Sequence, residues 1–174
     1  MKYMGSKARI AKHILPIILK DRKDGQWYVE PFVGGANLID KVDGDRIGAD
    51  NNGYLICLLN ALSDGWTPPK EVTKDFFLEV KANKDKYPKE LVAYLGYQLT
   101  FGCEWWGSFR RDNTGERKYD AESYNNVMQQ RSKLKGIKFI HSDYRDLDIP
   151  DNSIIYCDPP YKGVRKYVGN EPFD

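Results

Sequence analysis

Apolar residues follow two rhythms along this chain. Short runs end in a polar or acidic residue: Trp27-Tyr28-Val29-Glu30, Arg46-Ile47-Gly48-Ala49-Asp50, Ile137-Lys138-Phe139-Ile140-His141 and Ile154-Ile155-Tyr156. These predict strands, the last of them buried and parallel. Longer stretches place apolar residues three and four apart. Ile10, Ile14, Ile17 and Ile18 predict a helix with Ser6 as its N-cap and a bend or early stop at Pro16. Tyr54, Leu55, Leu58, Leu59 and Leu62 form a clear buried stripe. Residues 73–100 read as helical: Phe76, Phe77 and Val80 share one face, and Leu91, Val92, Leu95 and Leu99 another, split at Tyr87-Pro88. A last helix runs from Asp120, its expected cap, to Lys135, with Tyr124, Val127, Met128 and Leu134 inward. Strands alternating with helices predict an α/β fold on a parallel sheet.

Composition narrows the picture modestly. The chain has 174 residues, 41% hydrophobic and 30% charged, which suits one globular domain with a real core. A net charge of +2 is too small to argue for nucleic acid, so the distribution of charge matters more than its sum. Cys57, Cys103 and Cys157 show no metal-ligand spacing and are odd in number, which points to reduced thiols and a cytoplasmic setting. His13 and His141 stand apart from any ligand cluster, and a surface or partly packed place is expected for both. There is no signal peptide and no membrane-length apolar run.

Candidate chemistry sits where the strands end. Glu30-Pro31-Phe32-Val33-Gly34-Gly35 is an acidic residue followed by a paired-glycine turn and a helix-like segment. Glycines there let the backbone come close to a ligand. The spacing is neither a dinucleotide fingerprint nor a phosphate-cradling Walker loop, so an acidic Glu30 beside the turn suits a cationic ligand better. Asp50, ending the second run, either binds ribose hydroxyls or caps the next helix in rivalry with Asn51 and Asn52. Asp143-Tyr144 follows the third run, where an adenine ring would be met.

Asp158-Pro159-Pro160-Tyr161 closes the fourth. Two prolines stiffen this loop. A nucleobase amine is a poor nucleophile because its lone pair is delocalised into the ring. Two fixed acceptors, the Asp158 carboxylate and a proline-unit carbonyl, would grip its protons and turn the lone pair outward. Tyr161 would stack on a base taken out of the helix. Residues 101–119 mix aromatics and glycines with Arg110, Arg111, Arg117 and Lys118 around the turn signal Asp112-Asn113-Thr114-Gly115. That is the make-up of a DNA-contacting segment, although Glu104, Asp112, Glu116 and Asp120 also suit an ordinary solvated hairpin.

In order and spacing, Tyr3-x-Gly5-x-Lys7, the glycine turn, Asp50 and the Asp-Pro-Pro-Tyr loop together resemble the Dam-type DNA adenine-N6 methyltransferases from Lys2 to Tyr161. The resemblance implies a Rossmann-like sheet and S-adenosylmethionine as cofactor, with no metal. It implies that Tyr3, Lys7, Glu30, Phe32, Gly34, Gly35, Asp50, Asp143, Tyr144 and Asp158 surround that cofactor. Asp158 through Tyr161 would hold a flipped adenine from double-stranded DNA. The expected division is residues 1–65 and 136–174 as catalytic parts, with 66–135 as a helical, basic target-recognition insertion. The family's Arg-x-Asn-x-x-Gly string departs here, with Asp112 where Asn is usual, so a GATC target does not follow. The chain ends at Asp174, short of the family's later strands, which implies an open sheet edge where a complementing fragment or a second copy would pair. Related loops also serve cytosine N4, RNA adenine and protein glutamine. An inactive or split fragment that binds DNA or cofactor is the other reading.

Overall fold

A computed structural model describes residues 1–112, 114 and 116–160. Four strands, β1 (Tyr28–Glu30), β2 (Arg46–Asp50), β3 (Ile137–His141) and β4 (Ile154–Ile155), pair in parallel in the order β3-β2-β1-β4. The chain therefore moves outward from β1 through β2 to β3 and then crosses back to the far side of β1. The point where the direction reverses lies between β1 and β4. In open α/β sheets a ligand crevice forms outside the carboxyl ends of the strands at such a point.

Among the described residues five α-helices accompany the sheet: α1 (Ala11–Ile18), α2 (Gly53–Ser63), α3 (Lys74–Ala82), α4 (Lys89–Gln98) and α5 (Tyr119–Leu134). The stripe on α2 is buried as its spacing requires, with Leu55, Leu58, Leu59 and Leu62 fully enclosed. This helix packs on β2 and β3 on one side and receives α4 and α5 on the other. α4 is enclosed all round from Val92 onward, because it lies between α2 and the loop carrying Trp105 and Trp106. Both indoles press on Gly96, where a side chain would meet their carbons and nitrogen within 2.9 Å.

Several sequence expectations change. Ser6 does not cap α1: its hydroxyl accepts from the Ala8 N–H, and the helix starts only after Ile10. Ile10 and Ile17 are exposed, since the buried face of so short a helix runs through Ala11 and Leu15, with Ile14 and Ile18 at its margin. Between β1 and β2 the helix-like segment is a single 3-10 turn over Ile39–Lys41. Ala36 in the left-handed region (φ 54°) breaks the run before a helix can grow. Asp120 is not the cap of α5; it lies in the first turn and accepts from the backbone N–H groups of Val72 and Ala121. β4 is an edge rather than a buried strand: among the described residues it pairs only with β1, and Ile155 is 48% exposed. No observation supports a complementing fragment there.

Candidate active site

β1 ends in Glu30, and the chain turns at Pro31 to pass back over β2. The Val33 N–H donates to the Ala49 carbonyl, and Val33 lies so close to Gly48 that any Cβ there would meet it at 2.7 Å. This return brings Gly34 over the end of β2. Its N–H donates to Asp50 Oδ2 at 3.0 Å, while Asp50 Oδ1 accepts from Asn52 at 3.0 Å. Desolvation raises the Asp50 pKa, and these two donors partly offset it. The cap of α2 is Asn52, whose Oδ1 accepts from the Leu55 N–H. Asp50 is thus relieved of capping, and a carboxylate with about four acceptor positions keeps room for hydroxyl donors.

The first residues of the chain cover this turn. Tyr3 lies against Gly34 and Gly35: a Cβ on Gly35 would stand 2.6 Å from Tyr3 Cβ and 2.7 Å from Asn37 Nδ2. Gly34 sits at φ 49°. Both glycines are therefore required by close approach, and the approaching group in this structure is an aromatic ring of the chain itself. Tyr3 also packs edge-on against Tyr97 at 5.6 Å. One turn further on, the Lys7 ammonium forms an ion pair with Asp158 and a 3.3 Å hydrogen bond to the Gly5 carbonyl. Each partner's side chain is about one-fifth exposed, in keeping with the wall of a cleft.

Glu30 is 4% exposed. Burial pushes its pKa up to about 8; the Tyr28 hydroxyl donates to it at 3.0 Å and opposes the rise, while Asp40 and Asp158 add to it. Below that pH Glu30 is a neutral acid, and a cation brought beside it would favour its ionised form. Phe32 meets Tyr144 with ring centroids 5.2 Å apart, which brings β1's loop to β3's loop. Asp143 is held by Arg145 at 2.8 Å, and that guanidinium draws its pKa down to about 2. Pro159 and Pro160 are half-buried beside Asp158. Tyr161 lies outside the described residues.

The contacts at the strand ends form separate sets: Tyr3 on Gly34 and Gly35 with Gly34 on Asp50, Lys7 on Asp158, and Phe32 on Tyr144, while Glu30 feels the charge of Asp158. The basic segment is assembled differently. Trp105 stacks between Tyr54 (4.9 Å) and Tyr97 (4.6 Å), Trp106 and Phe109 both pack on Phe77 at 4.9 Å, and only Phe101 of these aromatics stands out in solvent at 74%. Arg110 pairs with Glu122 at 3.4 Å and lies over the Tyr119 ring at 4.0 Å. Arg111, Arg117 and Lys118 are exposed.

Sequence reasoning missed Gln98 and Gln130. Gln98 pairs with both backbone groups of Lys2; Gln130 donates to the carbonyls of Gly35 and Ala36 and to Asp40. The available signal was an amide placed in an apolar helix stripe, as in Val127, Gln130 and Leu134.

Acidic and aromatic side chains gather at the carboxyl ends of a parallel α/β sheet, the edge at which open sheets of this kind bind ligands. The finer assignment comes from the chain as a whole: residues 3–171 match the D12 class N6 adenine-specific DNA methyltransferases, and the chain belongs to that family. It is a site-specific adenine DNA methyltransferase by that membership, and DNA is the substrate the family implies. No curated protein matches the chain. Among the described residues no helix is long and apolar enough to cross a membrane.

Proposed function

We propose that this chain uses S-adenosylmethionine to methylate the N6 amine of an adenine flipped out of double-stranded DNA, with the residues of the carboxyl edge in the roles that follow. The observation that carries the reading is the Lys7–Asp158 pair beyond the end of β4; buried Glu30 at the end of β1 and the Gly34–Asp50 contact at the end of β2 support it. The donor set fits the cofactor. Asp50 retains acceptor capacity for ribose hydroxyls, buried Glu30 suits an ammonium group, and the Phe32–Tyr144 pair with Asp143 suits an adenine ring. Gly34, Gly35, Tyr3 and Lys7 complete the wall.

Bound S-adenosylmethionine supplies a methyl group activated on a sulfonium. The chain's task is to present the amine. Asp158 accepts one amine proton in a hydrogen bond, and a carbonyl of the Pro159-Pro160 unit accepts the other. The lone pair is thereby turned away from the ring. Orientation of this kind supplies much of the acceleration, and no strong base is needed because the amine proton becomes acidic only as the new bond forms. Tyr161 provides the stacking face. Arg111, Arg117 and Lys118 contact phosphates, with Arg110 bracing the segment from within. The setting is cytoplasmic.

Transfer of tritium from methyl-labelled S-adenosylmethionine into duplex DNA tests the reading. The wild-type chain labels adenine N6 and Asp158→Ala does not. Equal labelling by the variant, or label found only in RNA, cytosine or glutamine side chains, contradicts it. A wild-type chain that binds S-adenosylhomocysteine yet labels nothing supports the binding fragment instead.

A further inference from the structure

Two buried glutamines outside the sheet grip both walls of the cofactor site. Gln98, at the end of α4, is 1% exposed. Its Oε1 accepts from the Lys2 N–H at 3.1 Å and its Nε2 donates to the Lys2 carbonyl at 2.8 Å, so one side chain pairs with a peptide as a neighbouring strand would. Its own carbonyl accepts from the Ser123 hydroxyl of α5 at 2.8 Å. Gln130, on α5, is 4% exposed. Its Nε2 lies 3.0 Å from the carbonyls of Gly35 and Ala36 and from Asp40, and its Oε1 accepts from the Met1 amino group at 2.8 Å.

These contacts matter because of what lies one residue away. Lys2 precedes Tyr3, the ring covering the glycine turn, and leads to Lys7 on Asp158. Gly35 follows Gly34, whose N–H is on Asp50. The turn is thus held from both sides: its N–H by the acid at the end of β2, its carbonyls by an amide of α5. Residues 1–10, without regular secondary structure, are anchored at Lys2 by Gln98, at Met1 by Gln130 and at Lys7 by Asp158, and Gln98 is the one that grips both backbone groups of a single residue.

We infer that Gln98 and Gln130 are positioning residues for the cofactor, fixing the Tyr3–Lys7 wall and the Gly34–Gly35 wall respectively from α4 and α5. The inference rests on the cofactor reading above. Buried amides making two or more good hydrogen bonds are specific in direction, and an apolar group of the same size packs equally well while leaving the backbone partners unpaired.

The test is calorimetric titration of S-adenosylhomocysteine into the full chain and into Gln98→Met, Gln130→Met and Ser123→Ala. Ser123→Ala removes a buried hydrogen bond of the same helix interface and leaves both grips in place. The expected result is a weakening on the order of ten-fold for each glutamine variant, from loss of paired buried groups, and wild-type affinity for Ser123→Ala. Equal weakening in all three, or none in the glutamine variants, overturns the inference while leaving the cofactor reading intact. Absence of wild-type binding overturns both. Should a methionine variant fail to fold, amide exchange in the wild-type chain decides: the Lys2 and Gly34 N–H groups slow together when S-adenosylhomocysteine is added, and a Lys2 rate that ignores the ligand contradicts the inference.

Discussion

The carboxyl edge of the sheet and the basic segment over residues 101–118 are both rich in aromatic and charged side chains, yet they use them in opposite ways. At the edge, polar groups meet one another: Lys7 with Asp158 from the far end of the chain, Gly34 with Asp50, and Tyr28 with its strand neighbour Glu30. In the segment the aromatics turn inward and become core, leaving Phe101 and a few basic residues outside. A residue's chemistry therefore does not reveal its role; its partners do. Trp106 is buried on Phe77, while Asp158 is partly exposed and paired with Lys7.

Substitutions that break this contrast are ranked by size. With Asp158 in its proposed role, Asp158→Ala is expected to lower methyl transfer on the order of a thousand-fold or more, while S-adenosylhomocysteine binding, measured by titration, is weakened but detectable. Trp106→Ala acts on the other region and on folding instead: loss of a 95% buried indole packed on Phe77 costs about 3–5 kcal/mol in denaturant melts. Preserved stability in that variant would put Trp106 outside the core.

Glu30 gives a pH signature. With its pKa at about 8 in the fold against 4.5 for an ordinary carboxyl, the folded chain holds a proton that the unfolded chain has lost between those values. Stability therefore falls as pH rises through that window, by on the order of a few kcal/mol. Glu30→Gln flattens this fall in melts taken at pH 5 and pH 8. Gly35→Ala is smaller: the new Cβ drives into Tyr3 Cβ at 2.6 Å, costing about 1–3 kcal/mol of stability and loosening the wall that Tyr3 forms. Smallest are Arg117→Ala and Lys118→Ala. Each reduces DNA affinity uniformly across sequences and lowers the slope of log affinity against log salt by about 1. Unchanged slopes remove that segment from the DNA interface.

Much of the fold was legible because strand-ending acids and helix stripes are local signals. The four strands, the α2 stripe and the break at Tyr87-Pro88 follow from spacing; the order of the strands in the sheet does not. What local pattern does not carry is which face wins. α1 turned Ile10 and Ile17 outward although they share its apolar spacing. Trp105 and Trp106 turn inward because Gly96 leaves a slot for both indoles, and nothing near them in sequence shows that slot. The grips of Gln98 and Gln130 join positions about a hundred residues apart (96 for the Lys2 contact), beyond the reach of periodicity. The strand-end acids are legible in the sequence, since topology alone delivers Glu30, Asp50 and Asp158 to one edge.

The most direct measurement is a structure of the chain with S-adenosylhomocysteine. The account predicts the ligand among Tyr3, Glu30, Gly34, Gly35 and Asp50, with its ribose on the Asp50 carboxylate. A ligand seated elsewhere, with Asp50 still bonded only to Gly34 and Asn52, contradicts it.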